Sequence, residues 1–187
     1  MTFEQFFWTF FISALPVIEL RGSIPVALLE GELPRYFASI IPSTLIENEI
    51  KWYYALPAAY AGNLFPVPFL LKYLDPVVRF ISKIHILDRI AQWVFRRTRR
   101  HSELVEKYER IGLILVVAIP LPGTGAWTGA LLAFLLGLDF KKSLISIIIG
   151  VIIAGVIVTV LTLLGWVGAV IAGIALITLA AFGVWRI

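Results

Sequence analysis

Residues 119–129 read Ile119-Pro120-Leu121-Pro122-Gly123-Thr124-Gly125-Ala126-Trp127-Thr128-Gly129, a helix-breaking run inside an otherwise apolar stretch at 111–138. Lipid offers no water to unpaired backbone groups, so non-helical backbone at membrane depth survives only inside protein or beside a water-filled cavity. The run therefore marks a site as well as a turn. A second break, Leu15-Pro16-Val17-Ile18-Glu19-Leu20-Arg21-Gly22-Ser23-Ile24-Pro25, interrupts the apolar stretch at 6–29. Broken hydrophobic segments in corresponding halves of a chain point to a transporter's binding site.

Of the 187 residues 60% are hydrophobic and 15% charged, and the mean hydropathy is +0.93. A soluble domain of this size cannot hide so much apolar surface, so the class is an all-α integral membrane protein in one domain. No cysteine is present, which closes off disulfides and thiol-based metal or redox chemistry. His85 and His101 both lie in a charged middle stretch, so neither a metal nor a cofactor is expected. The net charge of +4 comes from one loop region and reports topology rather than nucleic-acid binding. Glu4 is the only charge before the first apolar run, unlike the basic start of a signal peptide.

Three further apolar pieces follow the breaks' pattern. Residues 54–71 form one expected spanning helix bent by Pro57, Pro66 and Pro68; residues 143–164 and 167–187 form two more, joined tightly at Gly165-Trp166. Small residues at four-residue spacing in the last pair, including Gly150, Ala154, Gly168 and Ala172, suit close helix packing and are compatible with a homodimer. Between these pieces, 30–51 is net acidic and 72–110 strongly basic, and 76–95 has the spacing of an amphipathic surface helix. Segment 30–53 is left open as an external loop, an interfacial helix or a further insertion.

The positive-inside rule puts 72–110 and Lys141-Lys142 in the cytoplasm. The segment at 111–138 then starts and ends on the inside, and the segment at 6–29 starts and ends on the outside. Each behaves as a re-entrant hairpin followed by a spanning helix, with opposite orientation. The expected architecture is two inverted repeats, 1–71 and 111–187, linked by the cytoplasmic connector 72–110 and closed by a C-terminal helix. Ala14-Leu15-Pro16 parallels Ala118-Ile119-Pro120, and Ala61-Gly62 parallels Ala154-Gly155.

Glu19 and Arg21 are the charges of the first break. Intramembrane charges are rare, costly and mark pathways; Glu19 suits proton binding and Arg21 suits clamping an anion, while a structural ion pair is the alternative for both. In the second break Gly123 and Gly125 free the backbone, Thr124 and Thr128 offer hydroxyls, and Trp127 offers an N–H and a flat wall. Asn63 lines the same cavity or makes an interhelical hydrogen bond. The cluster Arg96-Arg97-Thr98-Arg99-Arg100 is sufficiently explained as a topology determinant. Enzyme signals are poor: Gly123-Thr124-Gly125 lacks the serine of a nucleophile elbow, and no His-x-x-x-His pair is present.

The stretches Glu19-Leu20-Arg21-Gly22-Ser23-Ile24-Pro25, Gly62-Asn63-Leu64-Phe65-Pro66-Val67-Pro68 and 120–129 closely resemble the small multidrug export family, which looks like a distant relative of the DedA/VTT membrane proteins. The resemblance implies facing re-entrant hairpins in a prokaryotic plasma membrane. It also implies proton-coupled export or flipping of an amphipathic or anionic substrate, such as a lipid carrier phosphate or a small drug. The expected partners are lipids, a coupling ion and that substrate. A non-transporting scaffold that organises lipid is the competing expectation.

Overall fold

The computed structural model describes residues 2–28, 50–81, 103–121 and 123–185. Among these the chain is all helical: α1 (Phe3–Ala14), α2 (Glu19–Leu28), α3 (Trp52–Leu64), α4 (Val67–Ile81), α5 (Glu103–Ala118), α6 (Ala126–Leu135), α7 (Phe140–Leu163) and α8 (Trp166–Trp185). The acidic segment at 30–49, the surface helix expected from Pro76 onward beyond residue 81, the arginine cluster at 96–100 and Arg186 lie outside the described residues. The helices gather into two compact units, residues 1–62 with 155–187, and residues 63–154. The chain passes between them at Gly62-Asn63 and again at Ala154-Gly155, the two Ala-Gly positions that match in sequence.

In the first unit, α1 opens on a reciprocal cap: Gln5 N–H donates to Thr2 Oγ1 at 3.3 Å, and Thr2 N–H donates to Gln5 Oε1 at 2.8 Å. The cap satisfies helix-end donors that would otherwise be orphaned. Phe3, Phe6, Phe7 and Phe11 are exposed, whereas Gln5, Thr9, Ile12 and Ser13 are buried. This is the reverse of a water-soluble amphipathic helix. An aromatic exterior over a polar interior is stable where the surrounding solvent is hydrocarbon, so α1 is built for lipid.

The first break is shorter than expected. It occupies 15–18, and Pro25 lies within α2. Pro25 has no N–H to give the Arg21 carbonyl, so α2 is locally loosened there without ending. α2 folds back to pack on α1.

α3 crosses α1 at very short range. Ser13 Oγ donates to the Ala59 carbonyl at 2.7 Å, and Ala55, Ala58 and Ala59 are fully buried. A Cβ on Gly62 would run into the Phe10 carbonyl. Small residues let two backbones approach in this way when hydrocarbon gives no solvophobic drive to associate. Ser13→Ala is expected to cost about 0.6 kcal/mol, the average measured for one interhelical hydrogen bond in lipid. A detergent melting curve should record a small downward shift. At the other end of the unit, α7 turns into α8 through Gly165, which has φ +57°, and Gly168 abuts the Leu161 carbonyl. The expected turn at Gly165-Trp166 thus rests on one left-handed glycine and one close backbone approach.

The second unit contains α4, α5, α6 and the first part of α7. The single bent helix expected at 54–71 is instead two helices separated at Phe65-Pro66. Pro66 disfavours helical backbone at Phe65, and Pro68 falls in the first turn of α4, where a missing N–H costs nothing. Pro57 is accommodated inside α3. α6 packs against both α4 and α5. Val117 of α5 is fully buried between two glycines: a Cβ on Gly129 would approach its Cγ2 to 2.5 Å, and one on Gly150 its Cβ to 2.6 Å.

α7 has 24 residues and a mean hydropathy of 3.1 over its most apolar window. At 1.5 Å per residue it is about 36 Å long, enough for a hydrocarbon core of about 30 Å. Among the described residues it is the one helix long and apolar enough to cross a membrane. Its Ile145, Ile149, Ile152, Val156 and Val160 are exposed, as lipid-facing side chains are. By length and composition α7 is thus fit to cross a membrane.

Candidate functional site

The residues singled out from sequence divide between the units: Glu19 and Arg21 belong to the first, and Asn63, Gly123, Thr124, Gly125, Trp127 and Thr128 to the second.

Glu19 is the first residue of α2 and is only 4% exposed. Its φ is +51°, and it is the one non-glycine with positive φ among the described residues. A side chain in the left-handed region costs roughly 1–2 kcal/mol. Such strain persists only where the surrounding structure over-determines it, and it concentrates at functional positions. The Glu19 N–H donates to the Leu15 carbonyl at 3.0 Å, which closes the turn that aims the carboxylate inward. An acid in the first turn of a helix also meets the positive end of the helix dipole.

Arg21, half-buried, interacts electrostatically with Glu19. Ser23, one turn beyond Glu19, is fully buried, and its Oγ has no hydrogen-bond partner among the described residues.

Three residues that reading for charges missed belong beside these. Gln5, Thr9 and Ser13 recur every four residues along the buried side of α1. Thr9 Oγ1 donates to the Gln5 carbonyl at 2.7 Å, and Ser13 Oγ to Ala59. A hydroxyl can accept as well as donate. With Glu19 and Ser23, these three residues give the packed pair α1–α2 a buried polar interior. The signal was present in sequence as a polar residue at every fourth position of an aromatic-rich segment.

The second break, 119–125, is held by its own threonines. Thr124 Oγ1 lies 2.8 Å from the Ile119 carbonyl and 2.9 Å from that of Leu121, and it accepts from Leu121 N–H at 3.3 Å. Thr128 Oγ1 donates to the Gly123 carbonyl at 2.8 Å. The hydroxyl protons are therefore committed to the turn. Gly123 has φ +80°, and Gly125, the N-cap of α6, has φ +131° and ψ −162°, a region open essentially to glycine alone. Gly125→Ala is expected to destabilise the break by about 1–3 kcal/mol, visible as a lowered melting temperature. No side chain caps α6 at Gly125, so the first N–H groups of α6 have no side-chain acceptor there.

Asn63 is fully buried. Trp127 does not stand alone beside the break. It lines an apolar groove of about 360 Å³ together with Phe65, Pro66, Phe69, Leu70, Tyr73 and Leu74.

A family model described as "Putative small multi-drug export protein" matches residues 19–157, about three quarters of the chain. The match takes in both α2 and the whole of the second break. No curated protein and no solved structure matches the chain.

Proposed function

Because the chain belongs to the small multi-drug export family, we propose that it is a transporter, not an enzyme, and that it carries small amphipathic or anionic solutes across the membrane with Glu19 as the proton-coupling carboxylate. The observation that carries this reading is the Glu19 side chain itself: ionisable, almost fully buried, and held in left-handed backbone beside a polar stripe whose outer face is aromatic. A carboxylate that only anchored a fold would gain nothing from strained backbone.

The helix–break–helix pairs act as re-entrant hairpins in this reading, inserted from opposite sides as inverted repeats. Their lengths support it. α1 has 12 residues, α2 and α6 have 10 each, and α5 has 16, so none exceeds about 24 Å against a core of about 30 Å. Arg21 serves as the anion clamp beside Glu19, and alternating access proceeds around that pair.

The test is flux in proteoliposomes under an imposed pH gradient, with a fluorescent polyprenyl phosphate and a lipophilic cation compared side by side. Movement of either, driven by the gradient and lost in Glu19→Gln, supports coupled transport and reports the substrate's charge. No movement of either by folded protein would overturn the reading and favour a lipid-organising scaffold.

A further inference from the structure

We infer that the groove between α4 and α6 is a binding site for one acyl chain of an anionic phospholipid, with the headgroup held at Lys72. The inference does not depend on the transport reading. The groove's volume of about 360 Å³ falls within the range of small-molecule sites, and all seven residues that line it, Pro66 among them, are aromatic or aliphatic.

Two observations select the occupant. Phe69 and Tyr73 lie one turn apart on α4, and the Phe65 ring, in the break just before it, lies 5.6 Å from that of Phe69; all three are about half exposed. Together they form a row about 12 Å long, one helical turn of α4 plus the step from Phe65 to Phe69, a suitable length for the upper part of an acyl chain. Its far end carries a cation: Lys72 Nζ lies 5.7 Å from the centre of the Tyr73 ring, and Lys72 is exposed. A tyrosine and a lysine together mark the height of the headgroups, where the ring is half wet and the amine reaches water. The slot therefore runs from a positive lip at the interface into the hydrocarbon. A neutral detergent-like chain would fill it but leave Lys72 without a counter-charge; an anionic phospholipid satisfies both ends at once.

The experiment uses the full chain in bilayers of phosphatidylglycerol or phosphatidylcholine brominated along the acyl chains. The contribution of Trp127 is the difference between wild type and Trp127→Phe, because bromine quenches indole fluorescence only in contact. The Trp127 contribution should be half-quenched at about five-fold lower mole fraction of the anionic lipid, the equivalent of about 1 kcal/mol for one basic residue at the surface. Lys72→Gln should bring the two lipids to the same curve. A Trp127 contribution quenched by neither lipid would mean that protein covers the groove, from residues 82–102 or a second copy, and would overturn the inference. Equal quenching by both in wild type would reduce the groove to ordinary boundary lipid and overturn it as well. Should Trp127→Phe fail to fold, Phe69→Trp in the native chain places a reporter at another lining position and reads the same curves.

Discussion

Glu19→Gln is expected to lower gradient-driven flux at least about tenfold while leaving the protein folded, because coupling needs a carboxylate that takes up and releases a proton at membrane depth. Glutamine keeps the size and hydrogen-bonding shape of the side chain but cannot titrate. A packing role for Glu19 would survive this change; a coupling role would not. Glu19→Gly sharpens the contrast. It relieves about 1 kcal/mol of left-handed strain, so its melting temperature should equal or exceed that of wild type while flux is still lost. A variant that becomes more stable and less active would identify the strain at φ +51° as retained for function. If Glu19→Gly instead unfolds the protein, the carboxylate is a structural anchor and the coupling assignment fails.

The second large effect concerns Gly62. Gly62→Ala places a Cβ on the Phe10 carbonyl oxygen, with the Phe10 carbonyl carbon at 2.8 Å and its Cα at 2.9 Å. These are backbone atoms and cannot rotate aside, so α1 and α3 must separate. Separation breaks the Ser13–Ala59 hydrogen bond and opens the polar stripe to hydrocarbon. The expected cost is about 3 kcal/mol, the upper end for overpacking, seen as loss of a single sharp species in detergent chromatography. Gly112→Ala is the matched control. Among the described residues nothing lies within 4 Å of its Cβ position in α5, and alanine is favoured over glycine in a helix by about 1 kcal/mol, so this variant should melt higher. Equal tolerance of both substitutions would mean that α1 and α3 do not approach as closely as described.

Much of this was legible in the sequence because proline and glycine act locally. That both apolar stretches are interrupted, and that the chain turns at Gly165, follows from missing N–H groups and left-handed backbone, although the first break ends at residue 18 because α2 accommodates Pro25. α7 was legible for a different reason: from Leu144 onward it is apolar without a charge or a proline. The split of the expected helix 54–71 was not, because Pro57, Pro66 and Pro68 look alike in sequence. Only their place relative to a helix start decides between a bend and an end. Nor does any local rule assign left-handed backbone to Glu19, which sits between Ile18 and Leu20 with a glycine only at residue 22. The stripe at Gln5, Thr9 and Ser13 was overlooked because uncharged polar residues are cheap in a membrane and raise no alarm singly; their periodicity carries the information. Trp127 was expected to face a polar site, and its apolar surroundings depend on α4, which only tertiary packing brings alongside.

The reversed character of α1 bears on how the chain is made. Before α2 and α3 are synthesised, Gln5, Thr9 and Ser13 lack the helices they face in the fold, and a helix of 12 residues is too short to reach across the bilayer. Its partner for Ser13, the Ala59 carbonyl, is synthesised 46 residues later. The nascent segment must therefore wait at the membrane surface, held by its phenylalanines, until α3 is complete and the two can sink together. Insertion of the first half is a delayed, paired event, and a stop placed between residues 28 and 52 should leave α1 extractable at high pH, whereas a stop after residue 64 should not.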